Sequence, residues 1–358
     1  MARASFDLTP FGVPYVLRPG FDFKSIKQTD LKYGKRLKGP RGNTISFVLG
    51  ESEDKYTVTD KIGEGTYGVV YEVESSDKKR YAIKCIKEKL TDFAEFIAFI
   101  KETIIQLLVV EVSKDSPNGP YAPQIYDICY DADTGEGYVL SELMYNTFEN
   151  LVSINTLGAN DSIVPDCLLQ ISTIIKELQA SLLFNHRDMK GDNVMYIKED
   201  GLHLYCLIDF GMSCITWHGM KISGSSWFDE KHSCFKKDRD LSQFIFYIQR
   251  YLDSHLSNEL VYRLRQTIIA NIGRRHTCKM HKLCPEYGLR KWKNIYNFVD
   301  RRNVNIPGGT PIFVKSNMTR FITGKKFKPP RKTLRRVRIR PNRVSTVTYV
   351  DSDMESAI

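Results

Sequence analysis

Eight consecutive residues, His186-Arg-Asp-Met-Lys-Gly-Asp-Asn193, set a carboxylate, Asp188, two positions before Lys190 and five before Asn193. Sixteen positions after Asn193 comes Asp209-Phe210-Gly211. Phosphoryl transfer asks for such a set: a carboxylate to orient a hydroxyl, a cation on the transferred group, and two oxygen donors for a hard divalent cation. His-Arg-Asp alone occurs by chance. The longer pattern, followed by Asp-Phe-Gly at loop spacing, is specific.

A second constellation lies upstream. Gly63, Glu64, Gly65, Thr66, Tyr67 and Gly68 carry three glycines at a spacing that dinucleotide-binding folds also use. There the third glycine opens a helix. Here Val69 to Val73 continues as strand, which predicts a hairpin tip able to lie over phosphates and offer backbone N–H groups. Lys84, sixteen residues past Gly68, falls in the apolar strand Tyr81-Ala-Ile-Lys84. A charge there needs partners, and the phosphates of a nucleotide suit it.

The elements that must position these groups are legible as well. Strands are predicted over Tyr56 to Ile62, Val69 to Glu74 and Arg80 to Lys87. A helix is predicted over Thr91 to Val112, with Phe93, Phe96, Ile97, Ile100, Ile104 and Leu107 on one stripe. Asp166 to Phe184 reads as a strongly apolar helix that delivers the Asp188 loop, and Leu241 to Leu252 as a further helix. Residues 1–54 show little periodicity and are expected as an extension. Their basic stretch from Lys24 to Arg41 is expected to pack on or beside the predicted strands.

From about Lys55 to about Leu252 these motifs, in this order, resemble the eukaryotic-type protein kinases. The resemblance implies an α+β, two-lobed kinase-like fold, with a small β-rich N-lobe (55–144) and a mainly helical C-lobe (145–314). ATP would lie between them, held by Ile62, Gly63, Glu64, Gly65, Thr66, Tyr67, Gly68, Val70, Ala82 and Lys84. Glu102, eighteen residues after Lys84, matches the helix glutamate that pairs with the strand lysine; Glu88 and Glu95 compete for that role. Tyr138 to Met144 resembles the strand entering the hinge. Ser141 would stand at the back of the adenine pocket, and Glu142 and Met144 would offer backbone groups to the adenine edge.

By the same resemblance, Asp188 is the catalytic carboxylate and Lys190 neutralises the γ-phosphate. Asn193 and Asp209 hold Mg²⁺, with Mn²⁺ able to substitute. Lys190 also marks serine/threonine specificity. Arg187 would meet a phosphate on the activation segment, and Asp240 would brace the catalytic loop. His186 suits a buried, hydrogen-bonded role, and Asp192 a local hydrogen bond. The chain departs from the family after Gly211: Met212 to Phe235 holds no Ala-Pro-Glu, although Ser223-Gly-Ser-Ser226 is rich in hydroxyls. Haspin-like kinases and kinases of large cytoplasmic DNA viruses show similar losses.

Composition fits a globular enzyme. A chain of 358 residues can bury a full core, and no run of eighteen apolar residues predicts a membrane span. The first twenty residues lack the contiguous apolar stretch of a secretory signal. The eight cysteines are scattered, which suits reduced thiols in the cytoplasm or nucleus, or in a virion for a viral chain. Residues 315–343 carry twelve Lys and Arg and no acid, more than the whole chain's net charge of +10. The basic region is therefore a tail (315–358), solvated by default, with nucleic acid or an acidic partner as its functional occupant. His276, Cys278, His281 and Cys284 offer zinc-type ligands, but one nine-residue run would have to wrap tightly, and a basic surface turn is favoured.

The leading expectation is a serine/threonine protein kinase acting on protein substrates. Two alternatives stay open: a small-molecule kinase on the same scaffold, kept alive by the missing Ala-Pro-Glu, and a nucleic-acid-binding protein with a kinase-like scaffold. Intact Lys84, Asp188, Asn193 and Asp209 argue against the second.

Overall fold

Alternating apolar residues between Lys32 and Ile86 build most of a β-barrel, the first feature of the computed structural model. The structure describes residues 5–38, 45–50, 54–65, 68–87, 89–116, 119–199, 201–224, 239–262 and 264. A short hairpin at the start pairs β1 (Phe6–Asp7) with β2 (Val16–Leu17). The barrel is closed in the order β3 (Lys32–Lys38), β4 (Ile45–Leu49), β5 (Asp54–Glu64), β6 (Gly68–Glu74), β7 (Arg80–Ile86), β9 (Gly137–Ser141) and β8 (Ile125–Tyr130). Closure comes from β3, which runs parallel to β8 with Lys32 opposite Cys129. Phe47, Leu49, Val73, Ile83, Cys129, Tyr138 and Leu140 fill the interior. Each large apolar side chain so buried contributes about 1.5–3 kcal/mol.

Two barrel strands thus come from the stretch expected as an extension. Its alternation was hidden, because charges at Lys32, Lys35, Arg36 and Lys38 interrupt β3. Closing the barrel leaves no free sheet edge between β3 and β8.

Helix α1 (Phe93–Ser113) starts at Asp92, whose carboxylate accepts from the N–H groups of Ala94 (2.8 Å) and Glu95 (3.2 Å). Phe96, Ile100, Ile104, Leu107 and Leu108 are all buried along it. After β9 come β10 (Asn146–Thr147), α2 (Phe148–Ile154) and the long α3 (Leu157–Leu182). The predicted start of α3 at Asp166 is corrected. Thr156 caps the helix ten residues earlier, and the helix carries Pro165 in its interior rather than at its first turn. Leu183, in the left-handed region, ends it by donating from its N–H to Gln179 O.

Next, β11 (Val194–Glu199) and β12 (Leu202–Leu207) form a hairpin, with β10 pairing on β11. The hairpin β13 (Cys214–Trp217) and β14 (Met220–Ser223) follows, then α4 (Arg239–Tyr251). Among the described residues no helix is long and apolar enough to cross a membrane.

Cys85, Cys129, Cys167 and Cys206 are free and buried. Burial pushes the Cys85 and Cys129 thiols up to about 12, so both stay protonated. Cys214 departs from the expectation of reduced thiols. It is disulfide-bonded.

Candidate active site

The three glycines of the first constellation sit where β5 turns into β6. Gly65 N–H donates to Gly68 O at 2.9 Å and closes the tip; Thr66 and Tyr67 lie outside the described residues. The glycines differ in their surroundings. Among the described residues, a Cβ on Gly65 would meet nothing within 4 Å, and one on Gly63 only Val70 at ordinary contact. A Cβ on Gly68 would meet Cys85 O at 2.8 Å. Gly68 therefore lets β6 approach β7 beside Lys84, while Gly63 and Gly65 face open space that phosphates could occupy. Ile62 is exposed and Val70 half-buried on this hairpin.

The tip is stapled by charges that the motif reading missed. Glu64 pairs with Lys61 and with Lys87, and Lys87 Nζ also donates to Gly65 O at 3.0 Å. The two lysines pull the Glu64 carboxyl down to about 2. No spacing rule marks Lys87 for this role; only the hairpin pairing brings it to Gly65.

Strand β7 presents Lys84 opposite Val70 on one side and Val139 on the other. Its ammonium lies 2.6 Å from Glu102 Oε1 on α1 and 3.8 Å from Asp209 Oδ1. Burial alone would depress the lysine's pKa. Glu102 and then Asp209 outweigh it and hold the ammonium above its ordinary range. Ala82 is buried and stands opposite Ser141 at the end of β9. Beyond it, the Glu142 N–H donates to Gln124 O at 2.8 Å, and its side chain accepts from Gln124 N–H at 3.2 Å. Burial raises the Glu142 pKa. Met144 is buried two residues on.

The catalytic-type loop is fixed by a carboxylate from α4. Asp240, fully buried in the first turn of that helix, accepts from Asn185 Nδ2 (3.0 Å), His186 N–H (2.8 Å) and Arg187 N–H (2.9 Å). A helix N-terminus favours that negative charge. His186 is fully buried against Phe184 and Phe210 and donates from Nε2 to Ile208 O at 2.9 Å. Arg187 is also buried, and its φ of 72° lies in the left-handed region.

Within the loop, Asn193 Nδ2 donates to Asp188 O (2.8 Å) and Asp188 Oδ2 (2.9 Å). Lys190 Nζ lies 3.0 Å from the same Oδ2. Burial lowers the Lys190 pKa, but Asp188 outweighs it and raises it overall. Both partners fall on Oδ2, and among the described residues none falls on Asp188 Oδ1. The Asn193 amide nitrogen is committed to Asp188, which leaves Oδ1 as its acceptor for a cation.

The β11–β12 hairpin explains the sixteen-residue spacing. Val194 stands opposite Leu207, and Ile208 N–H donates to Asn193 O at 3.1 Å, so Asp209 returns beside Asn193. Asp209 has φ 61° and ψ 75°, a strained conformation for a non-glycine residue, and such strain collects at functional sites. Asp192 lies beside Glu149, whose carboxylate accepts from Tyr247 OH. Burial, and then Glu149, raise the Asp192 pKa.

Lys84, Glu102, Asp188, Lys190, Asn193 and Asp209 thus fall into two clusters joined by Asp209 and the β11–β12 hairpin. A carbonyl or carboxamide oxygen and a carboxylate are hard donors, so Asn193 and Asp209 fit a divalent cation such as Mg²⁺. Ser225 and Ser226 of the hydroxyl-rich stretch, the candidate zinc run and the basic tail lie outside the described residues.

The comparisons agree with this geometry. The protein kinase domain family model matches residues 56–229, just under half of the chain, and that stretch is similar to the eukaryotic-type protein kinases. The chain is 27% identical to mitogen-activated protein kinase 8 of Arabidopsis thaliana over 188 residues, 50% of this chain and 29% of that protein. It is 28% identical to the dual specificity protein kinase YAK1 of Saccharomyces cerevisiae over 173 residues, 48% and 20% of the two chains. It is 25% identical to myosin-IIIa of Homo sapiens over 192 residues, 48% and 10%. The chain spans less than a third of the length of these relatives.

Proposed function

We propose that this protein transfers the γ-phosphate of ATP to serine or threonine hydroxyls of proteins. The barrel with α1 would form the small lobe and α2 to α4 the large one, with ATP between them. The observation that carries this reading is the meeting of Lys84, Glu102 and Asp209, which come from three separate segments. Lys84, oriented by Glu102, would bind the α- and β-phosphates. The backbone at Gly63 and Gly65 would lie over the phosphates. The Glu142 carbonyl and the Met144 backbone would meet the adenine edge.

Mg²⁺, held by Asn193 and Asp209, would supply charge neutralisation at the β- and γ-phosphates. Asp188 would orient the hydroxyl through Oδ1 and take up its proton as transfer proceeds. Lys190 would hold charge on the γ-phosphate while its link to Asp188 keeps the two groups in register. Residues 315–343 would serve as an arm for nucleic acid or an acidic partner.

The test is transfer from γ-labelled ATP by the purified full chain to a basic protein, an acidic protein and a metabolite panel. Label on protein serine or threonine supports the reading. Label confined to metabolites replaces it with a small-molecule kinase. Loss of salt-dependent DNA binding on truncation after Thr310 supports the arm.

A further inference from the structure

Residues 5–31, ahead of the kinase match, are folded rather than trailing. Leu8, Val13, Leu17 and Ile26 have no exposed surface. Tyr15 ties the segment to itself: its hydroxyl donates to Asp30 Oδ2 at 2.6 Å and lies 3.1 Å from Ser25 O. Its ring meets Phe21 edge-on, and Phe21 meets Phe23 the same way, with centroids 5.4 Å apart. The short turn Phe23–Ser25 ends this row against α1.

The contact falls at one informative place. The Lys101 ammonium lies 5.4 Å from the centre of the buried Phe23 ring. Lys101 immediately precedes Glu102, about 100° away around the helix. One side chain therefore meets the N-terminal segment while its neighbour meets Lys84. Gln28 adds a second tie, donating from Nε2 to Leu90 O at 2.6 Å, two residues before the Asp92 cap of α1. On its other side α1 packs against β14 and the Phe210–Met212 turn, where a Cβ on Gly211 would come within 3.1 Å of Glu102 Oε2. Rotation of α1 about its axis would break the Phe23 contact and the Lys84–Glu102 pair together.

We infer that residues 5–31 are a built-in strap whose Phe23 is a positioning residue for the Lys84–Glu102 ion pair. The strap is covalently present, so α1 needs no outside partner to set its rotation. The inference rests on the proposed ATP site but is read by nucleotide binding, so it can fail separately from transfer.

The test compares Phe23→Ala, Phe23→Leu, Gln28→Ala, Glu102→Gln and the double variant Phe23→Ala/Glu102→Gln in the full chain. Two readouts are used: kcat/KM for ATP, and the rise in Tm on adding ATP and Mg²⁺. Phe23→Ala and Gln28→Ala should each lower kcat/KM about 3- to 30-fold and shrink the nucleotide-dependent rise. Phe23→Leu should recover part of the loss. In the Glu102→Gln background, Phe23→Ala should cost little more, because the pair it positions is already gone.

Equal values for Gln28→Ala, Phe23→Leu and wild type would overturn the inference even if Phe23→Ala unfolds. So would the same fold-loss from Phe23→Ala with and without Glu102. A wild-type chain that binds ATP without transferring phosphate, and loses that binding in Gln28→Ala, would end the kinase reading and leave the strap standing.

Discussion

The Lys84 ammonium and the Glu102 carboxylate, eighteen residues apart in the chain, meet at 2.6 Å and join the barrel to α1. Asp209 Oδ1 stands 3.8 Å from the same ammonium. Removing Glu102's charge leaves Lys84 free to turn toward Asp209. Glu102→Gln is expected to lower kcat/KM by about 10- to 100-fold, the response to losing a charge-assisted hydrogen bond of about 1.5–3 kcal/mol. Steady-state kinetics against ATP checks this.

The glycine hairpin makes a paired prediction. Gly65→Ala meets no atom among the described residues, so basal Tm should hold while KM for ATP rises. Gly68→Ala drives a methyl against Cys85 O, so it should lower basal Tm and ATP affinity together. Thermal unfolding with and without nucleotide separates the two.

Asp240 holds three donors at the head of the catalytic loop. Asp240→Ala leaves them without that acceptor in a buried place, at about 1–3 kcal/mol each. A loss of roughly 3 kcal/mol or more is expected, lowering Tm by about 6–12 °C. Calorimetry of the purified variant measures it.

Asp192 gives a pH-dependent test. Its folded pKa is raised by burial and by Glu149, so its ionised form costs stability. That cost is fully present above the folded pKa and vanishes as pH falls below the ordinary aspartate range. Asp192 is exposed, so solvent screens most of this cost: Asp192→Asn should raise Tm by no more than about 1 °C at pH 7, and the gain should fade toward pH 4. A gain that grows on acidification would contradict the assignment.

Much of the site was legible in the chain because the chemistry is local. Asp188, Lys190 and Asn193 share one loop, and a hairpin explains the distance to Asp209. Strand alternation exposed β5 to β7, and the stripe of α1 exposed its buried face. What stayed hidden depends on contacts between distant segments. The charges of β3 masked a barrel strand that its pairing with β4 and β8 reveals. The helix expected from Asp166 is capped by Thr156, ten residues upstream, and runs through Pro165. The Lys61–Glu64–Lys87 staple and the Tyr247–Glu149 contact link positions that no periodicity relates. The folded strap over 5–31 has too few residues per element to show a period.

The most direct measurement compares wild type with Asp188→Asn in phosphate transfer from labelled ATP, alongside the Tm rise on adding ATP and Mg²⁺. Asp188 is expected to act on the hydroxyl and not on nucleotide binding. Transfer should therefore fall about 10²- to 10⁴-fold while the nucleotide-dependent rise persists. Equal transfer by the two proteins would contradict the account.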